Sequence, residues 1–151
     1  MAAEYLAVAE QSVALNAPIN FTASIPCRSG CIYHEDGTGV FILRGSNNCQ
    51  NPATYQVLFS GNLAIPDGGA ITPIGVAVSV SGEPRLSSLA ISTPSATDEY
   101  NNVNSPAIVK VPHGCCFMVS VRVVPATTDP TVTPTPVVNV QNANLVIDRI
   151  A

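Results

Sequence analysis

Residues 54–65 read TYQVLFSGNLAI. In an extended chain Tyr55, Val57 and Phe59 point to one side and Gln56, Leu58 and Ser60 to the other, because successive strand side chains alternate. A period of two with a bulky apolar set on one side describes a strand that buries one face. Residues 115–124, CCFMVSVRVV, repeat the pattern: Phe117, Val119, Val121 and Val123 form an apolar face, alternating with Met118, Ser120, Arg122 and Val124. Strands of this kind predict sheets packed face to face around a shared core.

Working outward, thirteen prolines and ten glycines cut the chain into short runs and leave no room for a long helix. Val13 to Ala23 reads as an extended opening segment interrupted at Pro18. Gly39 to Arg44 is a strand ended by the loop GSNNCQNP. PDGG follows the core strand, and Ile74 to Val80 is the next strand, with a turn at Ser81-Gly82-Glu83-Pro84. Leu86 to Ser92 reads as one further strand closed by Pro94, and Ala107 to Val111 as another, before the turn Pro112-His113-Gly114. The last strand lies within Val137 to Ala151, which contains NANLVIDRI. Residues 125–136, PATTDPTVTPTP, are a Pro/Thr-rich surface loop ahead of it, with too few residues after them for a second domain. The expected fold is all-β, a jelly-roll sandwich of roughly eight to ten antiparallel strands. It forms one domain over 12–151, with residues 1–11 as an N-terminal docking segment.

Of the 151 residues 46% are hydrophobic and 11% charged, the latter less than half of the usual share of about 25%. A surface so poor in ions is either clothed in Ser, Thr and Asn or covered by neighbours. The net charge is −4, and Arg28, Arg44, Arg85, Lys110, Arg122 and Arg149 are scattered singly, so no basic stripe addresses a nucleic acid. No apolar run reaches membrane-spanning length, and residues 1–9 lack the basic region of a secretory signal. Five cysteines, Cys27, Cys31, Cys49, Cys115 and Cys116, are an odd number. They read as reduced, half-buried thiols, or as one bridge between the Cys27/Cys31 region and the Cys115-Cys116 pair.

Candidate chemistry is sparse. Cys27, Cys31 and His34 offer three zinc ligands, with Cys49 or His113 as a fourth, but their spacing fits no standard zinc pattern. Residues 34–39 read better as a polar turn around Asp36-Gly37. His113 beside Cys115 or Cys116 could activate a thiol, yet no third group orients the pair. The acids Asp36, Asp67, Glu83, Asp98 and Glu99 all sit in turn-like sequence. Asp98, Glu99 and Tyr100 form a loop that could hold calcium or a host glycan through oxygen atoms. There is no phosphate loop, serine elbow or HExxH. No catalytic residue and no cofactor are expected.

The order of segments resembles the tumour-necrosis-factor-like jelly roll, the globular head also found in complement and bacterial collagen-like proteins. Four segments carry the likeness. Residues 13–21 (VALNAPINF) are similar to the opening strand that ends in an aromatic. Val40 to Leu43 followed by Tyr55 to Phe59 are similar to the family's paired core strands, with Ala53-Thr54 where the family usually has glycine. Residues 76–83 (VAVSVSGE) resemble its strand-and-turn, and Asn144 to Ile147 its closing strand. The resemblance is nearest to bacterial and phage-borne versions, and IYHEDGTGVFILRG and VPHGCCF look like segments of small proteins from gut Firmicutes and their prophages.

The resemblance implies a homotrimer. Phe41, Tyr55, Val57, Phe59, Phe117, Val119, Val121, Leu145 and Ile147 are then the residues of the core or the trimer interface. With the low charge and the missing catalytic set, it implies a non-enzymatic phage capsid decoration or head-fibre protein at the virion surface, bound to the major capsid protein or another particle shell. The alternative is a glycan- or receptor-binding adhesin module on a particle or a bacterial or spore surface.

Overall fold

The computed structural model describes residues 2–26, 30–47 and 51–151. Twelve strands are present among them: β1 (Ala2–Ala7), β2 (Gln11–Ala14), β3 (Ala23–Ile25), β4 (Ile32–His34), β5 (Phe41–Arg44), β6 (Ala53–Ala64), β7 (Ile74–Val80), β8 (Glu83–Pro84), β9 (Ala90–Ser92), β10 (Asn101–Val111), β11 (Cys116–Pro125) and β12 (Val137–Arg149). One sheet has the order β10-β6-β12-β1-β3, with β2 also on β12. The other has the order β4-β5-β11-β7-β8, with β9 also on β7. All pairings between these strands are antiparallel. The fold is a jelly-roll sandwich. No helix is long and apolar enough to cross a membrane.

The inward faces make one core. Tyr55, Val57, Leu145, Ile147, Phe41, Val119 and Val121 are fully buried, Phe59 nearly so, and Phe117 packs against them at the rim. These are the residues read as core or trimer interface; within a single chain all but Phe117 are already removed from solvent. An aromatic cluster closes one side of the core: Phe41 stacks on His34 at 4.1 Å and meets Tyr5 and Phe21 edge-on at 4.5 and 5.5 Å. Tyr55 spans the sandwich from β6, its hydroxyl donating to the carbonyls of Arg44 at 2.5 Å and Cys31 at 3.2 Å.

Three expectations are corrected. Residues 2–7 are not a free docking segment. Ala3, Tyr5 and Ala7 alternate into the core, and β1 pairs with both β12 and β3. The run from Leu86 to Ser92 is not one strand either. Leu86–Ser88 form a 3-10 turn, and only β9 continues extended. The reason is backbone satisfaction at β7, whose outer edge has β8 at one end and β9 at the other. In the gap, Val78 N–H donates to Ser88 Oγ at 3.0 Å and Arg85 N–H donates to the Val78 carbonyl. A side-chain oxygen does there what a ladder carbonyl would do. Finally, β10 begins at Asn101 rather than Ala107, and its 11 residues pair throughout with β6.

Gly45 marks a close approach between two segments. Its N–H donates to the Cys115 carbonyl, and a Cβ there would lie 2.0 Å from the Pro112 oxygen. Gly45→Ala is expected to lower stability by about 3 kcal/mol, the upper end for overpacking. A urea-unfolding midpoint like that of the parent would show that the Pro112 turn moves freely.

Candidate functional site

The sandwich has two unlike ends. Ala2 pairs with Asp148 and Ile150 N–H donates to Thr54, so both ends of the chain meet at the end where β5 stops and β11 starts. Cys31, Cys115 and Cys116 lie here too, because Arg44 N–H donates to the Cys31 carbonyl and Cys116 pairs with Arg44. Cys27 and Cys49 fall outside the described residues. The opposite end carries the connections 65–73, 93–100 and 126–136. The Pro/Thr-rich stretch is thus a connection between β11 and β12, held by Asp129, whose carboxylate accepts from the backbone and hydroxyl of Thr131.

The residues read as reactive are not gathered into a site. His34 lies flat on Phe41, and its ring nitrogens face the carbonyls of Val40 at 3.1 Å and Phe21 at 3.4 Å, so neither points to a shared ligand position. Among the described residues no three of His, Cys, Asp and Glu come together as metal ligands. The 34–39 segment is a tight turn, with Gly37 at φ +92° and Thr38 donating to the Glu35 carbonyl through backbone and hydroxyl. His113 lies in a turn rather than on a strand, and its Nδ1 is 2.7 Å from the Ser46 carbonyl. The Cys115 thiol is directed to the Cys116 carbonyl at 3.8 Å.

The loop containing Asp98, Glu99 and Tyr100 spends its polar groups on itself. Glu99 accepts from the backbone and hydroxyl of Ser95 at 3.1 and 2.6 Å, and the Ser95 hydroxyl in particular holds its carboxyl below the usual range. Asp98 takes a left-handed φ of 57°, and its N–H donates to the Ile65 carbonyl. The phenolic oxygen of Tyr100 is covered and makes no hydrogen bond of full geometry. Burial first, then the carboxylates of Glu10 and Asp98, push Tyr100 up to about 12. In the unfolded chain the phenol ionises near pH 10. Its share of stability is therefore complete below pH 10 and lost as pH rises toward 12. Tyr100→Phe is expected to shift the alkaline unfolding midpoint upward. An ultraviolet titration in which all four tyrosines ionise together near pH 10 would refute the shift.

A surface that the sequence did not single out has more to offer. On the outer side of the first sheet, Val146 of β12 lies beside Leu58 of β6, which lies beside Pro106 of β10. This apolar row crosses three strands at the bottom of a groove of about 470 Å³ bordered by Ser60, Asn104 and Asn144. Leu58 is 39% exposed, and Ile108, two residues beyond Pro106, is 46% exposed. A second groove of about 350 Å³ runs from Gln56 and Ile108 to Ser87, around the corner onto the side wall. That wall is the 3-10 turn and β9, tied to β10 by Arg85 donating to the Ile108 carbonyl and Ser105 donating to the Ser88 carbonyl. It presents Leu86 at 71% exposure and Ile91 at 53%. Two apolar surfaces, one a sheet face and one a sandwich edge, thus meet along β10.

Pro106 hid the face at the sequence level. A proline inside an apolar-polar run argues against a strand, but an edge strand can hold it where its missing N–H points away from the partner. The signal was the alternation of Asn102, Asn104, Pro106, Ile108 and Lys110 with Val103, Ser105, Ala107, Val109 and Val111.

No protein family's sequence profile matches the chain, and no curated protein matches it in sequence. Solved structures do. The globular domain of zebrafish complement 1qA aligns with a TM-score of 0.65 at 12% identity, covering 99% of this chain and 97% of that one. The Eiger TNF of S. frugiperda aligns with a TM-score of 0.65 at 12% identity over 100% and 92%. Murine APRIL aligns with 0.60 at 10% identity over 97% of both chains. The chain shares the jelly-roll fold of these tumour-necrosis-factor-like and complement-like domains.

Proposed function

We propose that this chain is a non-enzymatic assembly module that works as a homotrimer on the outside of a larger particle, as a phage capsid decoration or head-fibre protein. The observation that carries the self-assembly is the pair of unlike apolar surfaces meeting at β10. A head-to-tail ring seats the edge of each copy on the face of the next and buries both patches in every copy. Three is the ring size that the resemblance seen in the sequence implies. Two contacts of ordinary size take about 800 Å² each from a chain. The chain has 7520 Å² of accessible surface, so the ring covers about a fifth of it, and the low charge of that surface fits such cover.

The two unlike ends support display. The end bearing Ala2 and Ile150 is suited to meeting a shell, while the connections 65–73, 93–100 and 126–136 face outward. Sedimentation of the native protein is expected to give three times the 15.6 kDa of one chain, and purified virions are expected to contain it in a fixed ratio to the shell subunit. A monomer at micromolar concentration would overturn the trimer, and particles lacking the chain would overturn the capsid role.

A further inference from the structure

The strands at the margins of the two sheets differ in length. Among the described residues β2, β3, β4, β8 and β9 are two to four residues long, whereas β10 runs for 11. A short edge offers another chain little to pair with, while a long one is a ready template for strand addition. Two observations show which backbone groups of β10 face its free margin. The Ile108 carbonyl accepts from the Arg85 guanidinium, and Pro106, two residues away, has no N–H, yet β10 pairs with β6 along its whole length. In an antiparallel strand the N–H and C=O of one residue point the same way and reverse at the next. Asn102, Asn104, Pro106, Ile108 and Lys110, all exposed, therefore turn their backbone groups to the free margin. Residues 103, 105, 107, 109 and 111 spend theirs on β6.

That margin is closed from its centre outward. Pro106 is the middle residue of the 11 and has no donor to offer. Two residues on, the Ile108 carbonyl is already occupied by Arg85. Two residues further stands Lys110, the only lysine of the chain, whose ammonium an incoming strand would have to dry or displace. A strand laid alongside thus meets a missing donor, a taken acceptor and a charge in turn. Between them lies Ala107-Ile108-Val109, apolar and β-branched, the composition that pairs readily when left open. Two copies pairing antiparallel along the whole of β10 would set Pro106 against Pro106, so each obstacle counts twice.

We infer that Pro106, Arg85 and Lys110 close the free margin of β10 to strand addition by a second copy of this chain. Pro106 acts here through its backbone nitrogen, which faces the margin, and not through the ring that it adds to the apolar row. The inference stands apart from the ring proposed above, because that contact is made by side chains and uses no backbone pairing at β10.

The test compares Pro106→Thr, Arg85→Ala, Lys110→Gln and the variant carrying the first two changes. Whole chains are followed over a concentration series by sedimentation and native mass spectrometry, with hydrogen exchange of residues 101–111. Thr returns an N–H to the margin, and Arg85→Ala uncovers the Ile108 carbonyl while keeping the backbone bonds of residue 85 to Val78 and Ser88. The double variant is expected to self-associate about 10- to 100-fold more tightly than the parent. Its new species carry at least twice the parental mass and gain slow exchange within 101–111. Arg85→Ala and Lys110→Gln are each expected to move the same way by a smaller factor, and they carry the test where Pro106→Thr does not fold. A double variant, or these two in its place, with the parental masses and parental exchange at β10 would overturn the inference. Larger species with fast exchange along the whole chain would overturn it too, since unfolding and not an opened edge would then drive association.

Discussion

Leu58→Asp is expected to yield a folded chain that no longer assembles. Leu58 points out of the sheet from the middle of β6, between Val146 and Pro106. In the isolated chain a carboxylate there stays hydrated and leaves every β6 ladder bond in place, and surface changes of that kind move stability by about 0.5 kcal/mol or less. In the assembled ring the same carboxylate would lose its water against the apolar side chains of Val146, Pro106 and the neighbouring copy's edge. An uncompensated buried charge costs about 3–5 kcal/mol, a loss of affinity of roughly two to four powers of ten, repeated at every contact. Sedimentation across a concentration series reads the effect, and the thermal midpoint of the dilute protein reads the fold. A variant that keeps the parental mass at low micromolar concentration would remove this face from the assembly.

The second large effect concerns the core. Tyr55→Ala is expected to leave the chain unfolded or molten at room temperature. Tyr55 is fully buried and its hydroxyl links β6 to the carbonyls of Arg44 and Cys31 on the opposite sheet. Removing a buried aromatic ring costs about 3–5 kcal/mol, and loss of the phenol's proton at the Arg44 carbonyl adds about 1–3 kcal/mol, while the Cys31 carbonyl keeps its bond from Arg44 N–H. Set against a total stability of about 5–15 kcal/mol, little remains. Tyr55→Phe separates the two contributions: it keeps the ring and is expected to lose only the hydrogen-bond share. Urea unfolding of both variants checks the ranking. A Phe variant as damaged as the Ala variant would mean that the hydroxyl, rather than the ring, holds the sheets together.

Why these residues were readable, and others not, follows from the range of the forces involved. The period of two in Tyr55-Val57-Phe59 and Val119-Val121 is local, and any sheet that buries one face must show it. The core residues and the all-β class were therefore legible. The conversion of Leu86–Ser88 into a 3-10 turn was not, because it depends on two unpaired backbone groups of Val78 that only the sheet's edge brings near. Residues 98–100 lie outside the strands, and the commitment of Glu99 to Ser95 and the covering of the Tyr100 hydroxyl depend on how the chain turns at Asp98.

The chain by itself determined that apolar and polar side chains alternate along short strands, that no long helix forms, and that few ions are left to clothe the outside. Tertiary structure alone decided which polar-side residues become neighbours. Leu58, Pro106 and Val146 are separated by dozens of residues and meet only because β6 lies between β10 and β12. The 3-10 turn comes round to β10 only because Ser88 and Arg85 complete the edge of β7. Side-chain alternation is a property of one strand, whereas a surface is a property of which strands pair, and pairing is settled by contacts distant in sequence.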